Sequence, residues 1–247
     1  IAGTVIKRKF KVPFIFSEYC VEIANNTLPL SDNFKKKIVK PNLLFADYLA
    51  LPSKKFANKF RKYFNLKKKI NTLPNVLPWD VLKYKKRENK NFFEFIVINR
   101  LDTNKNTELI IKSFIELNKK DTKLTIIGNG PELKNIKKYF CYRNIFFFKK
   151  IKRKDLIKKL SNADCLVSAS KNETFGVVLI EAASLGLSLI SSNSEGPSEI
   201  INYKNGIIVK DYDYKKFALA MKEIIENKYK YKKDNIKKDI IQRFGKK

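Results

Sequence analysis

From residue 92 onward, short apolar runs alternate with helical patterns. "FFEFIVI" (92–98) has the β-branched and aromatic content of a buried strand. In "NTELIIKSFIEL" (106–117), Ile110, Phe114 and Leu117 recur at i, i+4 and i+7, the spacing of one helix face. The unit repeats as "KLTIIG" with "PELKNIKKYF", "NIFFF" with "RKDLIKKLSN", and "ADCLVSA" with "VVLIEAASL"; "LSLISS" and "NGIIV" add two further strands. Strands alternating with helices predict an α/β fold: a parallel, doubly wound, Rossmann-like sheet that takes its ligand at the carboxyl ends of its strands.

The earlier part of the chain reads differently. "VPFIFSE" (12–18) and "ADYLALPS" (46–53) predict buried strands, and "KKFANKFRKYFN" (54–65) predicts an amphipathic helix that packs Phe56, Phe60 and Phe64 on its own sheet. The prolines and asparagines of "NTLPNVLPWD" (71–80) mark a linker, so a boundary is expected near residues 75–90, dividing the chain into domains 1–88 and 89–247.

Composition narrows the class. Across 247 residues, 44% hydrophobic and 13% aromatic content is that of a folded globular protein. The net charge of +29 would attract nucleic acid, an anionic membrane or a phosphorylated substrate. Its lysines are scattered along the chain, however, and a biased composition leaving solvated surface gives the same pattern. Cys20, Cys141 and Cys165 form no CxxC and have no His to complete a zinc site, so reduced, buried, cytosolic thiols are expected. No apolar run reaches the ~18 residues that a transmembrane helix needs, and no signal-peptide pattern opens the chain, so it reads as cytoplasmic, soluble or peripheral to a membrane.

The chemistry gathers at three strand ends. "NRLDTNKN" (99–106) puts Arg100 and Lys105 after the first strand of the large sheet, where both could meet a phosphate. "GNGPE" (128–132) places Gly128 and Gly130 where backbone can approach closely. "SASKNETFG" (168–176) enters a helix at Gly176, leaving the first-turn amides of Gly176, Val177 and Val178 free for an anion. That helix is apolar all round except for Ser184 and Glu181. A buried ionised carboxylate costs several kcal/mol unless partnered, so something polar must meet Glu181.

These residues together resemble the group 1 (family 4) retaining, nucleotide-sugar-dependent glycosyltransferases of GT-B fold. The resemblance is carried by "NRLDTNKN", "TIIGNGPE", "ADCLVSASKNETFGVVLIEAASLG" with an E-x7-E spacing from Glu173 to Glu181, and "EGPSEIINYKNGIIV", and it covers residues 92–210. Residues 1–88 match more loosely, through "VPFIFSEY", "ADYLALPSKKF" and "LPNVLP", as a partial Rossmann-like N-terminal, acceptor-side domain ahead of the donor-binding domain.

The resemblance implies transfer of a sugar from a UDP- or GDP-sugar to a saccharide or lipid-linked acceptor with retention, in cell-surface polysaccharide or glycolipid synthesis. It implies that Arg100 and Lys105 neutralise the leaving diphosphate without a metal or other cofactor, and that Glu173 contacts the transferred sugar. By the same resemblance Thr174, Phe175, Gly176 and Val177 hold sugar and diphosphate through their backbone, and Glu181 accepts from the ribose hydroxyls. Gly128 and Asn129 line the donor site, and Lys150 and Ile151 lie near the base.

The chain departs from the family in places. It has no Gly-rich loop after a first strand and no His, and it carries Tyr19, Asn99 and Lys149 where the family often shows His, Gly and Gly. These departures leave open a fragment or a shortened member. They also keep a non-catalytic nucleotide-sugar-binding remnant in view, beside a same-fold sugar-nucleotide epimerase. A nucleic-acid-binding protein rests on charge alone, with no RNA-recognition, helix-turn-helix or zinc motif, so no specific nucleic-acid partner is expected.

Overall fold

The computed structural model describes residues 2–19, 22, 31–84 and 90–245. Two compact units emerge: Ile1–Asn75 with Asn172–Phe175, and Val76–Lys171 with Gly176–Lys247. The division falls at Asn75/Val76. Residues 76–82 belong to the second unit because the Leu77 amide donates to the Phe244 carbonyl at 3.0 Å and Asp80 pairs with Arg153.

The first unit holds helix α1 (Ala2–Phe10), strand β1 (Ile15–Ser17), helix α2 (Lys40–Phe45), strand β2 (Tyr48–Leu51), helix α3 (Lys54–Phe64) and strand β3 (Asn71–Thr72). The strands are parallel in the order β1-β2-β3, with Phe16 opposite Leu49 and Ala50 opposite Asn71. Ser53 caps α3, its hydroxyl accepting from the Phe56 amide at 3.2 Å, and Asn65 ends it in the left-handed region at φ 48°. Phe56, Phe60 and Phe64 lie in the core with Leu43, Leu49 and Leu51, so α3 is an ordinary amphipathic helix on its own sheet. The expectation of two buried strands holds for β2 only. β1 is an edge strand, paired with β2 on one side only among the described residues, and its Ile15 is 61% exposed.

The second unit is the predicted doubly wound sheet. Strands β4 (Phe93–Ile98), β5 (Thr122–Ile127), β6 (Ile145–Phe148), β7 (Cys165–Ser168), β8 (Ser188–Ser192) and β9 (Gly206–Val209) are all parallel, in the order β6-β5-β4-β7-β8-β9. The order reverses beside β4, whose neighbours are β5 and β7, so the carboxyl ends of β4 and β7 flank the crevice where open α/β sheets bind ligands.

Eight α-helices among the described residues of this unit follow in chain order: α4 (Trp79–Leu82), α5 (Thr107–Leu117), α6 (Leu133–Ile136), α7 (Arg153–Asn162), α8 (Val177–Ser184), α9 (Pro197–Ile200), α10 (Tyr214–Glu226) and α11 (Lys233–Phe244). "PELKNIKKYF" forms only the one-turn α6 and a 3-10 turn at Lys137–Tyr139, not the full helix its pattern suggests. Cys165 is buried as expected, with its thiol pushed up by burial, whereas Cys141 is exposed because it follows that short turn at the surface. Cys20 lies outside the described residues. No helix among the described residues is long and apolar enough to cross a membrane.

Candidate functional site

The loops after β4 and β5 are stitched together. The Leu101 amide donates to the Asn129 carbonyl at 3.0 Å, and the Glu132 amide donates to the Leu101 carbonyl at 2.9 Å. The close approach demands glycine: a Cβ on Gly128 would stand 2.1 Å from the Asn99 carbonyl oxygen, and one on Gly130 would stand 2.2 Å from that of Leu101. Arg100 projects from this double loop with its side chain 74% exposed and its Nε 3.6 Å from Asp102. Asp102 also fixes the backbone at Lys105, whose amide donates to the Asp102 side chain at 3.0 Å. The structure thereby brings the loops of Arg100, Lys105, Gly128 and Asn129 to one end of the sheet.

The loop after β7 is tied to the same end. The Lys171 amide donates to the Asn104 carbonyl at 2.8 Å, and the hydroxyls of Ser192 and Tyr212 donate to the carbonyls of Ser170 and Lys171 at 2.5 and 3.0 Å. Past Lys171, residues Asn172–Phe175, with Glu173, Thr174 and Phe175, group with the first unit. There the Ser53 hydroxyl donates to the Thr174 carbonyl at 2.9 Å, and the Thr174 hydroxyl donates to the Tyr19 carbonyl at 3.4 Å.

Gly176 returns the chain to the second unit with φ 100°, a left-handed conformation that suits glycine, and no side chain caps the helix α8 that begins at Val177. α8 ends in a Schellman motif: the Leu187 amide donates to the Ala182 carbonyl and the Gly186 amide to that of Ala183, with Gly186 left-handed at φ 85°.

Residues Leu179 to Ser184 of α8 are buried, Glu181 among them with its side chain 6% exposed. Its polar partner is a residue the sequence reading passed over. The Arg153 Nη2 donates to Glu181 Oε1 at 2.5 Å, while Arg153 Nε donates to Asp80 Oδ2 at 2.9 Å. The Asp80 and Glu181 carboxylates raise the Arg153 guanidinium further above its ordinary value, and Arg153 in turn lowers the Asp80 carboxyl. Arg153 opens α7 just beyond Lys150 and Ile151, which lie exposed and half-buried in the loop after β6. The only hint in the sequence is an Arg at a helix start in a chain that otherwise favours Lys. Among the described residues, no group of three or more His, Cys, Asp or Glu side chains comes together as a metal-ligand set.

Comparison with known proteins decides the family. The sequence model of the family Glycosyl transferases group 1 matches residues 80–242. The chain belongs to the group 1 glycosyltransferases. Among curated relatives of this group 1 chain, the uncharacterized glycosyltransferase MJ1059 of Methanocaldococcus jannaschii is 32% identical over 189 residues, 69% of this chain and 46% of the relative. Sucrose-phosphate synthase of Spinacia oleracea is 26% identical over 190 residues, 67% of this chain and 18% of the relative. The chain thus spans less than half the length of either.

Among solved structures, Anabaena Alr3699/HepE in complex with UDP and glucose superposes with a TM-score of 0.82 at 16% identity, over 98% of this chain and 70% of that one. Sucrose-phosphate synthase from Thermosynechococcus elongatus superposes with a TM-score of 0.80 at 16% identity, over 98% of this chain and 67% of that one. The likeness establishes the fold, the GT-B type read from the sequence.

Proposed function

We propose that this group 1 chain takes a nucleoside diphosphate sugar, UDP- or GDP-linked, at the carboxyl ends of β4 and β7 and supports transfer of the sugar to a saccharide or lipid-linked acceptor with retention. The observation that carries the reading is the meeting at one sheet end of the stitched loops of Arg100 and Asn129 with the uncapped start of α8. An uncapped helix start offers free amides and a partial positive charge, and Arg100 and Lys105 add two full ones.

In the transfer, the bond between the anomeric carbon and the diphosphate oxygen breaks, and that carbon bonds to the acceptor hydroxyl oxygen. The acceptor proton leaves to the departing phosphate oxygen or to water. Arg100, Lys105 and the α8 amides would hold the charge developing on the diphosphate, the role that favours the transition state over bound donor, without a metal. Glu173 would orient the sugar, Glu181 the ribose, and Lys150 and Ile151 would lie at the base. Thr174, Phe175, Gly176 and Val177 would contribute backbone, and Gly128 and Asn129 would complete the donor site.

The experiment is a thermal-shift panel of nucleotides and nucleotide sugars, followed by turnover with each donor that binds. A ligand at 100 times its dissociation constant adds about 2.7 kcal/mol to stability. A shift with UDP- or GDP-sugars accompanied by sugar release supports the enzyme. A shift with no turnover favours the alternative, a nucleotide-sugar-binding remnant, and no shift with any member opposes both.

A further inference from the structure

Glu181, Arg153 and Asp80 form a charged chain within the second unit, running from a buried helix to the surface. The side chains are 6%, 43% and 46% exposed in that order. Arg153 grips Asp80 through two nitrogens, Nε at 2.9 Å and Nη2 at 3.3 Å, and uses the same Nη2 to reach Glu181 Oε1. A guanidinium suits this arrangement because its planar fork can serve two carboxylates at once, whereas an ammonium is a point charge. The arrangement leaves Glu181 Oε2 outside the ion pair.

We propose that Arg153 is the positioning residue for Glu181: by pairing with Oε1 it fixes the carboxylate and leaves Oε2 to the ligand, while Asp80 holds Arg153 in place. The inference rests on the reading that Glu181 accepts from a ribose hydroxyl. Arg153 touches no reacting atom in this account. Its effect appears as discrimination between nucleotides that have the ribose hydroxyl and nucleotides that lack it. A carboxylate oxygen with no hydroxyl to accept from is left poorly satisfied, and a hydrogen bond to a charged group is worth roughly ten- to a hundredfold in affinity. Asp80 stands only a few residues into the second unit, on the short α4, so the segment following the unit boundary also bears on how Glu181 is held.

The test is calorimetry of UDP and GDP against their 2′-deoxy and 3′-deoxy counterparts, on the wild-type chain, Arg153→Ala, Arg153→Lys and Asp80→Asn. The wild type should prefer at least one ribose-hydroxyl-bearing nucleotide by about tenfold or more. Arg153→Ala should bring that ratio close to one, Arg153→Lys should restore part of it, and Asp80→Asn should lower it less than Arg153→Ala. A merely structural role would weaken all ligands together and leave the ratio unchanged, which would overturn the inference. If Arg153→Ala does not fold, Asp80→Asn and Arg153→Lys carry the same comparison, and wild-type ratios in both overturn it. Binding by the wild type with no ribose preference removes the inference and leaves the diphosphate reading intact. No nucleotide binding at all removes both.

Discussion

The Gly128 backbone lies against the Asn99 carbonyl so closely that a Cβ would stand 2.1 Å from that oxygen. The contact joins the loop after β5 to the loop that carries Arg100. Gly128→Ala should therefore push the two loops apart, costing about 1–3 kcal/mol as a small-to-large change in a packed site. Urea unfolding should show a lower midpoint, and nucleotide affinity should fall in the fraction that remains folded. An unchanged midpoint would mean that the two loops are not held in the described contact.

The two glutamates of the E-x7-E spacing should separate by observable. Glu181 sits inside a buried helix, so Glu181→Ala should weaken every ligand that shares the ribose. Glu173 lies before the helix start, so Glu173→Ala should spare free nucleotide and lower sugar transfer. Either loss should be roughly ten- to a hundredfold in its own measurement, the worth of a hydrogen bond to a charged group. Loss of nucleotide affinity in Glu173→Ala with retention in Glu181→Ala would reverse the orientation of the donor.

Much of the second unit's sheet was legible because parallel strands buried on both faces are written as apolar runs, and the loops that follow them carry Gly, Arg and Lys at short range. β1 reads no differently, since "VPFIFSE" is as apolar as a central strand, and an edge is a property of neighbours instead of composition. The partner of Glu181 was illegible for a related reason. Arg153 is 28 residues away on another helix, and Asp80 is a further 73 residues from Arg153. No local pattern encodes a pairing that only the packing of α4, α7 and α8 creates.

Acid should release one surface cluster in a defined direction. Hydrogen bonds from Lys138 and then Tyr139, the latter at 2.8 Å, hold the Glu108 carboxyl below its ordinary value of 4.5. A lowered folded-state value contributes stability that is full above the unfolded value and lost as pH falls through the folded one. Glu108→Gln should thus be less stable than wild type at pH 7, by about 0.5 kcal/mol for a pair open to solvent, and should match it in strong acid. Urea titrations at both pH values check this, and a gap that widens in acid would contradict the sign.

The first unit should favour acidic membranes. Helix α1 has no buried residue, with Val5, Ile6 and Phe10 59%, 50% and 62% exposed beside Lys7, Arg8 and Lys9. Each cation near an anionic surface is worth about 1 kcal/mol, and the apolar residues add to it. Sedimentation with vesicles of phosphatidylcholine, with and without phosphatidylglycerol, should show binding only to the acidic ones. Replacing Val5 and Phe10 by Ser should weaken it. Equal partitioning to both kinds of vesicle would remove a lipid-surface role.

The central claim is that a diphosphate is held by Arg100, Lys105 and the start of α8, and calorimetry of UDP and GDP on the wild-type chain and on the Arg100→Ala, Lys105→Ala double variant tests it most directly. Two charge-assisted hydrogen bonds at about 1.5–3 kcal/mol each predict a loss of at least about a hundredfold in affinity. Both side chains extend from loops, so the circular dichroism and melting of the double variant should stay those of the wild type. Binding that disappears while the fold persists is the predicted result; wild-type affinity in the double variant would contradict the account.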